Sequence, residues 1–265
     1  LKVNELWQQG YGSGLGLSEL EFLAEETTGS QLDFTNQEFP RLIYDGPFSE
    51  STEDKQPEGL GSKAFSKEEA RAAAEKFLGM GVNTLELSGE LNGTIPSFGF
   101  TGELGGRPVS IYISKQGGQV LWYMSQRDTG ISAVPTDERY EHLRAVAQQY
   151  LKNKGYGSTA PSYAQFYGGM AIINLAPIEN DIVLYPDLIK VWVDISGNDV
   201  AGMEAQNYLM SHKKRSLPAP ELTKEDAQKM LNPDMLVTNT RLALIPLDSN
   251  EEKLCWEFTC TVNGN

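Results

Sequence analysis

Two histidines, two cysteines and a few short acidic, glycine-rich and basic motifs are what this 265-residue chain offers for chemistry. His142 and His212 belong to no HExxH or other metal-ligand spacing, and His142 falls on an expected helix as a surface or core-edge residue. Asp194-Ile-Ser196-Gly-Asn198-Asp199 begins like a calcium loop, but its sixth position is not glycine and its twelfth is Ala205. These residue types therefore read as a β-turn. Gly10-x-Gly12-x-Gly14-x-Gly16 has the glycines of a phosphate loop without its spacing, its preceding strand or its Lys-Ser/Thr, and reads as a terminal stretch. Ser211-His-Lys-Lys214 has the serine and lysine spacing of penicillin-recognising enzymes, but neither Ser-Asp-Asn nor Lys-Thr-Gly accompanies it. Followed by Arg215 and Leu-Pro-Ala-Pro220, it reads as a basic linker. His212, Lys213, Lys214 and Arg215 are then the candidate residues for docking or protease cleavage. No catalytic, cofactor-binding or metal constellation emerges, so the expectation is a chain that is not an enzyme and carries no cofactor.

Cys255 and Cys260 stand five residues apart, on opposite faces of an expected strand and roughly 16 Å from each other. They cannot bridge within that strand, and the chain has no disulfide framework; this usage leaves the compartment open. Trp122-Tyr123, Trp192 and Trp256 also fall on expected strands, as core residues or, where exposed, as anchors for a partner.

A net charge of −14 argues against nucleic acid or an anionic membrane surface as partner and favours a partner with a basic face. Residues 1–60 carry three basic and twelve acidic residues, so −9 of that total sits at the front. This segment reads as an acidic arm or linker, with a short helix at Ser18–Glu26 and one strand-like element at Arg41–Tyr44. The longest uncharged stretch, Gly155 to Ile178, holds four glycines and two prolines and does not read as a membrane helix. No signal peptide opens the sequence, so any anchor is expected upstream of it.

What must position these side chains is one pattern written three times. Capped helices are expected at Ser66, Thr136 and Thr223, and strands follow about Phe98, Ala171 and Trp256, at separations of 32, 35 and 33 residues. In the first copy Ser66 and Glu69 form a capping box, and Ala70, Ala73, Ala74, Phe77 and Leu78 line one helix face. Strands are expected at 84–91, 97–104, 109–114 and 119–125, with a tight turn at Gly117-Gly118. In the second copy Tyr140, Leu143, Ala147, Tyr150 and Leu151 form the stripe, with strands at 162–167, 170–175, 188–195 and 200–207. In the third, Ala227, Met230 and Leu231 form it, the helix stops at Pro233, and strands are expected at 238–247 and 254–262. The fold class is α+β: three tandem modules, each a helix packed on an antiparallel sheet. The boundaries are 1–60 for the arm, then 61–130, 131–212 and 213–265. The third module lacks the last hairpin of the others, so an exposed, poorly ordered sheet edge, or one that borrows a strand from a neighbour, is expected at the C-terminus.

Four ordered segments carry a resemblance: FPRLIYDGPFS at Phe39–Ser49, IYISKQGGQVLWY at Ile111–Tyr123, LMSHKKRSLPAP at Leu209–Pro220 and TRLALIP at Thr240–Pro246. Together the sequence resembles the spore-germination protein YpeB family, and the repeated unit resembles the PepSY domain. The resemblance implies a non-enzymatic spore protein at the outer face of the inner membrane, anchored by an N-terminal segment absent from this sequence. It also implies that the partner is the cortex-lytic enzyme SleB, which the protein binds, stabilises or localises and restrains until germination. The alternative is direct active-site inhibition of a peptidoglycan hydrolase or peptidase, and a third possibility is a hydrolase. In the family the chain continues past Asn265 into the strand pair that completes the third module.

Overall fold

A computed structural model describes residues 56–127, 134–217, 219–247 and 251–262. The glycine run, the expected Ser18–Glu26 helix, the Arg41–Tyr44 strand and most of the acidic arm lie outside the described residues.

Helix α1 (Lys67–Leu78) starts where its cap predicts. The Ser66 hydroxyl accepts from the Glu69 backbone N–H, and the Glu69 carboxylate accepts from that of Ser66, so two donors left free by the first turn are satisfied. Ser66→Ala should therefore cost about 1 kcal/mol, read as a lower midpoint in urea with an unchanged slope. Four strands follow: β1 (Glu86–Leu91), β2 (Ser97–Leu104), β3 (Arg107–Ser114) and β4 (Val120–Ser125), joined in order as antiparallel neighbours. Between β3 and β4, Gly117 and Gly118 take φ of 85° and 64°, as the turn demands. A Cβ on Gly118 would also strike the Phe65 ring at 2.3 Å.

Helix α2 (Asp137–Asn153), capped by Thr136, precedes β5 (Thr159–Tyr167), β6 (Met170–Glu179), β7 (Ile182–Leu184), a 3-10 turn at Tyr185–Asp187, β8 (Ile189–Asp194) and β9 (Val200–Glu204). Strand β9 pairs antiparallel with β4, matching Trp122 to Glu204, Tyr123 to Met203 and Met124 to Gly202. That seam merges the two sets of strands into one sheet ordered β1-β2-β3-β4-β9-β8-β6, with β5 beyond β6. Gly202 lets the seam close, because a Cβ there would lie 2.7 Å from the Tyr123 carbonyl oxygen.

Both helices contribute to one core on this sheet. Ala70 and Ala74 of α1 and Leu143, Ala147 and Leu151 of α2 share it with Phe100, Ile111, Ile113, Ile173, Leu175, Val191 and Met203. The rings of Phe77, Tyr123 and Tyr150 link the helices across the seam, with centroids 5.6 Å (Phe77–Tyr123) and 6.4 Å (Tyr123–Tyr150) apart. Burial pushes the Tyr123 hydroxyl up to about 12. Lys154, just past α2, donates to the carbonyl oxygen of Phe77 in the last turn of α1 and sits 4.3 Å above the Phe77 ring.

After β9 the structure departs from the expected strand over 200–207. The chain turns at Ala205 into α3 (Gln206–Ser211), because adjacent Leu209 and Met210 bury against Ile95, Tyr112 and Leu121, which a strand's alternation would not allow. Helix α4 (Lys224–Gln228), capped by Thr223, covers only five residues and buries none, and Met230 is 77% exposed. The expected stripe to Leu231 therefore does not form: the residue before Pro233 is disfavoured in helical geometry, and few apolar residues reward extension. Strands β10 (Met235–Pro246) and β11 (Glu252–Val262) pair antiparallel, and β10 joins β7 in parallel. Among the described residues β11 pairs with β10 alone. The fold is mixed α+β, mostly sheet with few helices. Among the described residues no helix is long and apolar enough to cross a membrane.

Candidate functional site

The basic run after α3 is drawn inward at its last residue. The side chain of Arg215 is 5% exposed and meets Asp187, at the end of the 3-10 turn, whose carboxylate is fully buried. Nη1 and Nη2 of Arg215 donate to the two Asp187 oxygens, each at 2.8 Å, while Nε and Nη2 donate to Glu252 at 2.8 and 2.7 Å. Nη2 also donates to the Ser211 carbonyl at 3.0 Å. One planar fork thus serves two carboxylates, which lysine could not do. Burial works against the guanidinium's charge, but the hydrogen bonds and charges of Glu252 and Asp187 outweigh it and raise the Arg215 pKa.

His212 Nδ1 lies 2.7 Å from Asp187 Oδ2, and its ring stacks on Tyr208 with centroids 4.2 Å apart. Tyr208 in turn meets the edge of Tyr156 at 5.0 Å. Lys213 bonds Glu58 at 2.9 Å, and Lys214 points into solvent. On the other flank of β10, Arg241 donates to both oxygens of Glu257, and Tyr185 donates to the same carboxylate at 2.9 Å.

The structure therefore brings His212 and Arg215 together on Asp187, pairs the partly exposed Lys213 with Glu58, and leaves Lys214 exposed. Within this run the Arg215 side chain is bonded into the interior, while Lys214 and Ser216 are exposed. The arrangement clamps β11 to the turn after β7. Asp187 and Glu252 had no signal in the sequence, since nothing in residue spacing links positions 28 and 37 residues from Arg215.

The other candidates take structural places. His142 is exposed on α2. Asp194 Oδ1 accepts from the backbone N–H of Ser196 and Gly197 and from the Ser196 hydroxyl, which makes the acidic motif the turn between β8 and β9. Burial works against the Asp194 charge, but these hydrogen bonds, with the charge of Arg127, lower its pKa. Cys255 and Cys260 are free thiols. Trp192 is buried with Nε1 lacking a partner, and Trp256 donates to the Leu222 carbonyl at 2.9 Å. Among the described residues no group of three His, Cys, Asp or Glu side chains could hold a metal ion.

A family model described as YpeB sporulation, PepSY1 and PepSY2 domains matches residues 28–218. Sporulation protein YpeB of Halalkalibacterium halodurans is 28% identical over 213 residues, 80% of this chain and 47% of that protein. That of Bacillus subtilis is 28% identical over 228 residues, covering 83% and 50%. The chain thus spans about half the length of these curated relatives. The solved Bacillus megaterium YpeB C-terminal domain superposes with a TM-score of 0.62 at 25% identity, over 76% of this chain and 90% of that one. With the family model matching well over half of its length, the chain belongs to the YpeB family of PepSY-domain sporulation proteins.

Proposed function

We propose that the chain is a non-catalytic binding protein of the spore that holds and stabilises the cortex-lytic enzyme SleB and restrains it until germination. The family match over residues 28–218 carries this reading. Three tandem PepSY-like modules over 61–130, 131–212 and 213–265 would supply the scaffold, presenting sheet faces and edges to the enzyme. An acidic chain suits a partner with a basic face. An upstream membrane anchor, as the resemblance implies, would keep the pair at the outer face of the spore inner membrane.

Deleting the gene should remove most SleB from dormant spores, as read by immunoblot, and normal levels of active enzyme in the deletion strain would sink the proposal. Titrating purified SleB with this chain separates stabilisation from inhibition. A holding role leaves the initial rate of peptidoglycan cleavage unchanged while prolonging the enzyme's half-life, whereas active-site inhibition lowers the rate in proportion to the complex formed.

A further inference from the structure

The strands at the seam have a second face, opposite the one that α1 and α2 cover. Side chains alternate along each strand, so the ladders place Tyr112, Trp122, Glu204, Lys190 and Asn174 in one row on that face, across β3, β4, β9, β8 and β6. Met124, Gly202, Trp192 and Ile172 form the next row. Helix α3 joins Tyr112, Leu121 and Trp122 at one end, with Leu60 packed against them. Beyond that end the face is buried although no described helix lies over it. Asn174 is 2% exposed, Lys190 and Glu204 pair at 3.2 Å with little access to solvent, and Trp192 is 6% exposed. Yet Trp192 belongs to none of the apolar clusters of the described residues. Side chains stand away from a sheet, so strand neighbours shield their flanks and leave their tips to water unless something covers them. The buried Trp192 Nε1 also lacks the acceptor that an indole N–H requires.

We propose that residues 28–55 of this chain cover this face, the apolar run over 39–48 lying across Trp192 and supplying its acceptor. The segment meets the described structure at the right place, since residues 58–60 lie against α3 at the border of the face. It is also long enough: three strand spacings, roughly 14 Å, separate β3 from β8, and about ten extended residues span roughly 33 Å. Phe39, Leu42, Ile43, Tyr44 and Phe48 stand out in an otherwise acidic arm, and such a run gains most when a surface takes it out of water. The family match begins at residue 28, so this segment belongs to the matched unit. The seating is a property of the chain itself and stands or falls independently of the partner proposed above.

Photocrosslinking on the 265-residue chain tests it. With p-benzoylphenylalanine in place of Ile43 or of Phe48, crosslinks mapped by mass spectrometry should fall within one molecule, on Met124, Ile172, Trp192 or their strand neighbours. Crosslinks between two copies or on any other surface overturn the proposal, as does their absence from both positions. In hydroxyl-radical footprinting, Leu42→Asp combined with Ile43→Asp should raise oxidation of Trp192 at least ~5-fold and leave Trp256 unchanged, because only the cover is lost. Unaltered oxidation of Trp192 in that variant also overturns it; should the variant not fold, the crosslinks still decide.

Discussion

Replacing Arg215 with alanine should lower stability by about 3–5 kcal/mol, because it takes the guanidinium from a fully buried Asp187 carboxylate, leaving the His212 contact, and removes two hydrogen bonds from Glu252. In differential scanning calorimetry the first transition should then fall by roughly 6–20 °C. Arg215→Lys should recover little of this, since one ammonium cannot bridge two carboxylates in the geometry the fork satisfies. Converting the whole cluster to apolar residues (Asp187→Leu, Arg215→Met and Glu252→Leu) should restore most of the loss, because no unpaired charge remains buried. A single Arg215→Ala variant that melts with the wild type would show that the cluster is ornamental.

Tyr123→Ala should be comparably damaging, at about 3–5 kcal/mol, for a different reason. Tyr123 is 3% exposed and lies on β4 at the seam, with Phe77 of α1 on one side and Tyr150 of α2 on the other. Its removal opens a cavity where two helices and two strands converge, and packing at that density leaves little room to collapse. Tyr123→Phe keeps the ring and loses only the hydroxyl's contact with Tyr150, so it should cost about 1 kcal/mol. Denaturant unfolding of the two variants measures the difference. Equal losses would place the stabilisation in the hydroxyl instead of the ring.

Local chemistry made much of the fold readable from the chain. The Ser66 and Glu69 reciprocity and the Thr136 and Thr223 hydroxyls each marked a helix start within a residue, because capping depends on side chains adjacent in sequence. Alternation located Ser97–Leu104 at its observed bounds and came within a few residues for most other strands. The seam was not readable, since antiparallel pairing of Met124 with Gly202 is chosen by packing across 78 positions. Strand β7 escaped notice because three residues carry no period, and α3 because its apolar residues are consecutive. The candidate site was half legible: the run from His212 to Arg215 stood out by charge. Its meaning depended on Asp187 and Glu252, whose carboxylates look like ordinary surface acids until the fold buries them.

The segment that leads into α1 lies against α3. The backbone N–H groups of Glu58 and Gly59 donate to the carbonyls of Met210 and Leu209, and Gln119 at the β3–β4 turn grips Gly59 and Gly61. A Cβ on Gly59 would lie 2.7 Å from the Tyr208 carbonyl oxygen, so the crossing is backbone against backbone. Residues 58 to 210 thus form a closed loop of polypeptide. Tension applied upstream of residue 58 is borne at this crossing, by a few hydrogen bonds and the Lys213–Glu58 ion pair, before any strand is loaded. The crossing also lies five residues from Arg215 along the chain, so a pull transmitted through it passes next to the cluster that holds β11 to the turn after β7.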